Sequence, residues 1–189
     1  SNWKPRHRIL AIDPGWENLG VFLLEISDSK EKKFRVFYKT IDLNVKKTAT
    51  SEDLVDAFNI HLAGPLGFLP DDPNYKIDYI LMERQPANYI KNRELEVALR
   101  VFLWSKYEVL AVWMYSPISV KNKLGLPVYR KDHSRNKKAM IERISEGEDI
   151  LFRGLYNDHI ADCVGLLNVF FQTHKTLKTM VLQYKEEDF

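Results

Sequence analysis

Ile9-Leu10-Ala11-Ile12-Asp13-Pro14-Gly15, followed by Gly20-Val21-Phe22-Leu23-Leu24, is the stretch on which the fold turns. An apolar run ends in one carboxylate, a Pro-Gly turn follows, and a second apolar run begins. A buried strand that delivers an Asp to its C-terminal edge has this form. An ionised Asp there is costly unless something positive meets it, and a metal ion is the usual partner in a catalytic site. Asp-Pro-Gly is also good turn chemistry by itself. Asp13 therefore reads either as a turn residue or as a ligand, and the rest of the chain has to decide.

Outward from that stretch, residues 8–13 and 19–26 read as the first two strands and residues 34–38 as a third. The polar segment 27–33 turns between the last two, which makes an antiparallel meander. Ser51 with Glu52 and Asp53 behind it predicts a helix over 52–62, its acids at the positive end of the dipole. Segment 64–75 holds Pro65, Gly67, Pro70 and Pro73 and reads as loop. Residues 77–82 form a fourth strand that ends at Glu83. A long helix is expected over 88–107, with Leu95, Ala98, Leu99 and Phe102 at helical spacing and Ile90, Val97, Val101 and Trp104 widening the apolar face. Residues 109–115 are a fifth strand, closed by Ser116-Pro117. A basic amphipathic helix over 134–145 and an apolar helix over 158–174 follow, and the tail from Lys175 is frayed helix or extended. The order predicts an α/β chain with a mixed five-stranded sheet: strands 1–3 antiparallel, strands 4 and 5 parallel, helices flanking.

The chain has 189 residues, 45% hydrophobic and 29% charged, which fits one globular domain over 1–189. The net charge of +2 does not by itself point to nucleic acid, but its distribution is uneven. Between Lys121 and Arg143 stand eight Lys or Arg (Lys121, Lys123, Arg130, Lys131, Arg135, Lys137, Lys138, Arg143) against Asp132 and Glu142. Such a run is usually a solvated helix face; beside a metal-phosphate site it becomes a phosphate-backbone surface. A single cysteine, Cys163, in an apolar run predicts an intracellular, reducing compartment and an unreactive thiol. No membrane span or signal peptide is expected. Ser1-Asn2 reads as an expression scar, so a native N-terminal extension is expected.

Three acids share one design. Asp13 ends the first strand, Glu83 ends the fourth, and Asp162 lies in the first turns of the last helix, where His159 is three residues away on the same face and Asp158 four. If strands one and four are neighbours, these groups converge. Clustered carboxylates repel one another and ask for divalent cations. Two Mg²⁺ ions about 3.5–4 Å apart would activate a water and stabilise the leaving oxygen in phosphodiester cleavage; Mn²⁺ would substitute. Each acid has a plainer reading too: Glu83 as an edge ion pair with Arg84, Asp158 as a helix N-cap, His159 as a surface residue.

These residues resemble the RuvC-type Holliday junction resolvases of the RNase H-like superfamily. Ala11-Ile12-Asp13-Pro14-Gly15 with Gly20 resembles the first motif. Leu81-Met82-Glu83-Arg84-Gln85-Pro86 resembles the second, in the Glu-Arg-Gln form of the poxvirus and mitochondrial members. Ser116-Pro117, Val120-Lys121 and Lys137-Lys138-Ala139 resemble the segment after the fifth strand, and Asp158-His159-Ile160-Ala161-Asp162 the last motif. The resemblance implies that Asp13, Glu83 and Asp162 are metal ligands, with His159 or Asp158 the fourth, and that Lys138 or Lys137 lies near the scissile phosphate. It implies a Mg²⁺-dependent homodimer with two ions per site that nicks four-way junctions symmetrically, leaving 5′-phosphate and 3′-hydroxyl ends, with no small-molecule cofactor.

It also implies a place where viral DNA replicates in a host cell, with mitochondrial and nuclear placement left open. Arg84, Lys91, Arg93, Arg100, Lys121, Lys123, Arg130, Lys131 and Arg135 are the expected DNA contacts, and the helix over 88–107 the expected dimer surface. The rival readings are an RNase H-like nuclease on RNA–DNA hybrids or flaps, a non-catalytic junction-binding protein, and an actin-like ATPase.

Overall fold

In the computed structural model, which describes residues 3–187, the opening stretch is strand β1 (Pro5–Asp13). Strands β2 (Leu19–Ser27) and β3 (Lys33–Ile41) follow it as an antiparallel meander. Ser1 and Asn2 lie outside the described residues. Helix α1 (Ser51–Ala57) opens with a Thr50 capping box and closes as a π-helical turn, Phe58–Leu62, so the helix expected over 52–62 is present but changes its winding near the end. Strand β4 (Lys76–Glu83), helix α2 (Ile90–Lys106) and strand β5 (Glu108–Tyr115) then make a parallel crossover.

Helix α3 (Pro117–Lys123), helix α4 (His133–Glu146), helix α5 (Asp158–Thr173) and helix α6 (Lys175–Gln183) complete the helical set, and a two-residue strand β6 (Lys185–Glu186) ends it. The sheet order is β5-β4-β1-β2-β3-β6, which is the RNase H-like arrangement with one strand more than the five expected. The sixth strand is the tail, which pairs in parallel with the start of β3. Arg35 and Lys33 hold Glu187 there at 2.5 and 3.5 Å.

Every residue of β2 is buried, because helices cover both faces of the sheet and leave no polar face to alternate with. On one side Leu10, Ile12, Val21 and Leu23 pack against α1 and α2 through Leu54, Phe58, Leu95, Leu99 and Leu103. On the other, Ile9, Ala11, Phe22, Leu24 and Leu81 pack against α5 and α4. Helix α5 is buried at nearly every position from Ile160 to Phe171, the pattern of a helix wrapped on all sides by its own chain. Side chains alternate along a strand. Asp13 therefore follows Ile9 and Ala11, and Glu83 follows Leu81, onto the face that α5 covers. No described helix is long and apolar enough to cross a membrane.

Candidate metal centre

β1 and β4 run side by side and parallel, with Ile12 opposite Met82, so the next residues, Asp13 and Glu83, leave the sheet at one edge as neighbours. The Pro14-Gly15 turn carries the chain away from that edge. Gly15 fits only without a side chain, since a Cβ there would meet the Asn18 carbonyl oxygen at 2.5 Å. Helix α5 brings the third acid. Its N-cap is Asn157, whose side chain accepts the Ile160 N–H at 2.9 Å. Asp158, for which a cap is the plainer of two readings, is thus one residue inside the helix, and its carboxylate is left for other partners.

The first turn of α5 comes down on Gly20, which pairs with Asp13 across the sheet. A Cβ on Gly20 would sit 2.8 Å from the His159 carbonyl oxygen. The absent side chain is what lets α5 settle over the end of β1.

In this way one carboxylate oxygen each from Asp13, Glu83 and Asp162 comes within 4.8 Å of the others. Asp13 is buried and the other two are half-buried. Burial is the main reason their carboxyls resist ionisation. It pushes Asp13 up to about 7 and Glu83 up to about 8, helped by the charge of Asp162 on Asp13 and of Asp13 on Glu83. Asp162 is raised well above the usual carboxylate range by burial and then by Glu83 and Asp158. Lys121 draws Glu83 and Asp162 down, and Lys137 draws Asp162 down, without overcoming burial. Three carboxylate oxygens forced together with little solvent form a donor set suited to hard divalent cations.

His159 stands between two acids. Its Nδ1 lies 3.4 Å from Asp13 Oδ2, and its Nε2 lies 3.6 Å from Asp158 Oδ1. Hydrogen bonding to Asp13 is the largest influence on the imidazole and raises its pKa. The other oxygen of Asp158 pairs with Lys137 Nζ at 3.2 Å. Lys138 is exposed and lines, with Lys137, Ser134 and Asp158, a cleft beside the acids. The ion pair considered for Glu83 with Arg84 is not formed among the described residues. Arg84 is exposed, and its backbone N–H donates to the Tyr115 carbonyl at 2.7 Å. Cys163 is buried, and burial raises its thiol well above the usual range.

The expected DNA contacts fall into two groups. Arg84, Lys121, Lys123, Lys137 and Lys138 sit on segments that leave the same sheet edge as the acids or flank α5. Arg130 and Lys131 are exposed ahead of α4, and Arg135 lies over the Tyr129 ring at 3.9 Å. By contrast Lys91 pairs with Glu94 at 3.0 Å, and Arg93 turns inward to the Gln85 carbonyl at 3.4 Å. Behind Glu83 lie Gln85, which the second motif includes without a role, and Glu96, which sequence reading misses. Gln85 and Glu96 are both buried, and the Gln85 N–H donates to Glu96 Oε1 at 2.8 Å. The signal was there in α2, where Glu96 falls in the same stripe as Leu95, Leu99 and Leu103.

With this geometry in place, comparison with solved structures finds similar chains. Among them are RuvC and two Holliday junction resolvases. Thermus thermophilus RuvC is similar over 89% of this chain and 97% of its own, at 16% identity and a TM-score of 0.49. The yeast mitochondrial resolvase Ydc2 is similar over 96% of this chain and 86% of its own, at 16% identity and a TM-score of 0.48. The fowlpox virus resolvase is similar over 88% of this chain and 99% of its own, again at 16% identity and a TM-score of 0.48. No protein-family model matches the chain, and no curated protein matches it.

Proposed function

We propose that the chain is a divalent-metal-dependent endodeoxyribonuclease that resolves four-way DNA junctions by paired nicks. The observation that carries the reading is the meeting of Asp13, Glu83 and Asp162 oxygens within 4.8 Å. In this reading those three hold two Mg²⁺ ions, with Mn²⁺ as substitute, and His159 is the fourth ligand. The bound ions supply Lewis-acid stabilisation of phosphoryl oxygens and an activated water.

The chain's own part is positioning. The carboxylates leave one sheet edge and one buried helix, so their spacing is fixed before substrate arrives. Lys121 and Lys137 place positive charge against the acids, and Lys138 faces the neighbouring cleft for the scissile phosphate. Lys123, Arg130, Lys131, Arg135 and Arg84 hold flanking phosphates, so affinity falls steeply with salt. Junction shape rather than base edges then sets selectivity.

A four-way junction has approximate two-fold symmetry, and a two-fold dimer supplies two equivalent sites. Helix α2 presents the surface for it. Ile90, Val97, Val101 and Trp104 are exposed, and a groove of about 870 Å³ runs along the helix between Val55 and Phe102.

The deciding experiment incubates the protein with a labelled four-way junction, a plain duplex and an RNA–DNA hybrid, with and without Mg²⁺. Paired symmetric nicks in the junction alone are expected. Cleavage of the hybrid alone would make the chain an RNase H-like nuclease instead. Cleavage of nothing, with the junction still bound, would make it a binding protein.

A further inference from the structure

A buried acid is expensive unless something needs it, and Glu96 is 2% exposed in the middle of α2. Its neighbours in the stripe, Leu95, Leu99 and Leu103, are all fully buried against the sheet. A leucine at this position would pack as they do and carry no desolvation cost. Among the described residues, the one hydrogen bond to the Glu96 carboxylate comes from the backbone N–H of Gln85, at 2.8 Å.

That N–H belongs to the second residue after Glu83, in a segment tied down from every side. The Arg84 N–H donates to the Tyr115 carbonyl of β5 at 2.7 Å. Arg93 Nη1, one turn before Glu96, donates to the Gln85 carbonyl at 3.4 Å. The Gln85 side chain turns back, and its Nε2 donates to the carbonyl of Glu83 itself at 3.4 Å. The backbone at Gln85 is thus held from both its N–H and its C=O by α2, and the Gln85 amide passes that hold to the Glu83 peptide.

We infer that Glu96 is a positioning residue for Glu83: by fixing the Gln85 N–H it sets where the Glu83 carboxylate stands relative to Asp13 and Asp162. The inference rests on the reading of those three acids as a metal site. Glu96 touches neither metal nor substrate and acts two residues away through the main chain, as outer partners of metal ligands do elsewhere. The requirement is for an acceptor at this point, not for a charge. Glutamine, which keeps a carbonyl oxygen in the same place, therefore replaces glutamate, and an apolar residue does not.

The test is Mn²⁺ titration of the full chain followed by electron paramagnetic resonance, with circular dichroism to monitor the fold. Glu96→Ala is expected to weaken Mn²⁺ binding about ten- to a hundredfold, while Glu96→Gln binds as the unmodified chain does. Should Glu96→Ala lose its fold, Glu96→Leu, which fills the space without an acceptor, takes its place. Leu103→Ala, buried in the same helix two turns on, destabilises the fold and is expected to leave Mn²⁺ binding unchanged, which separates positioning from general packing. Unchanged Mn²⁺ binding in Glu96→Ala or Glu96→Leu would overturn the inference. So would equal weakening in Leu103→Ala or in Glu96→Gln. An unmodified chain that binds no Mn²⁺ would remove the metal site itself, a different result from any of these.

Discussion

His159 Nδ1 faces Asp13 Oδ2 at 3.4 Å, so the helix that supplies Asp162 also touches the acid at the end of β1. His159 is therefore placed to share an ion with Asp13, while both oxygens of Asp158 are already engaged, by Lys137 and by His159. His159→Ala should weaken Mn²⁺ binding about tenfold or more, and Asp158→Ala should weaken it less. Titration calorimetry on the two variants measures the difference, and the reverse order would make Asp158 the fourth ligand.

Asp13→Asn keeps the size and much of the hydrogen bonding of the side chain but removes the charge. Junction cutting should fall below detection while junction binding, measured by gel shift in Ca²⁺, stays near that of the unmodified chain. Binding is expected to survive because the basic residues on α3 and α4 carry it. An Asp13→Asn protein that still cuts would take Asp13 out of the site.

Gly20→Ala adds a methyl group where the His159 carbonyl oxygen is 2.8 Å away. Backbone cannot yield as the tip of a side chain can, so α5 must lift. Destabilisation of about 1–3 kcal/mol is expected from such overpacking, together with weaker metal binding, since His159 and Asp162 ride on the displaced turn. Chemical denaturation and the same titration check the two effects. A variant with native stability and native affinity would show that the close contact is not needed.

The metal-free chain should lose stability as pH rises. Asp13 and Glu83 have folded-state values of about 7 and 8, above those of free carboxyls, so between roughly pH 4 and 8 the folded chain binds more protons than the unfolded one. Unfolding free energy then falls with pH across that window. His159, also raised, acts in the same direction, since its contribution is lost as pH rises through its folded value. Thermal melts in a chelating buffer from pH 5 to 8 should show a falling Tm. A flat or rising profile would contradict the burial of these acids.

Helix α2 offers a test of assembly. Val101 is 56% exposed and Trp104 54% exposed on one face. Val101→Glu should convert a dimer into monomers in sedimentation without loss of helix content. A chain that is monomeric before substitution would remove this surface from the proposal.

Much of this is legible in the sequence. Asp13 and Glu83 could be read because an apolar run that stops at an acid marks a strand end, and β1 and β4 end where those runs stop. The pairing of β1 with β4 could only be assumed, since no local signal in either run names its partner. Helix α3 is absent from the sequence expectation, in which Ser116-Pro117 only closes β5. A Ser at the N-cap and a Pro in the first turn also start a helix, and the Ser116 side chain accepts the Ser119 N–H at 3.2 Å. Strand β6 was hidden because two residues held by Glu187 leave no periodic pattern. Glu96 escapes notice because an acid in an amphipathic helix is assigned by its type to the wet side, although its spacing puts it in the stripe of Leu95, Leu99 and Leu103.

Burial of the acids also governs how the site fills. Carboxyls that hold protons near neutrality must surrender them to any ion that takes their oxygens, so loading is an exchange of protons for metal. For each proton displaced, apparent affinity changes about tenfold per pH unit. Adding Mg²⁺ to the chain in weak buffer near pH 7 should therefore acidify the solution, and a pH electrode alone can count what the site gives up.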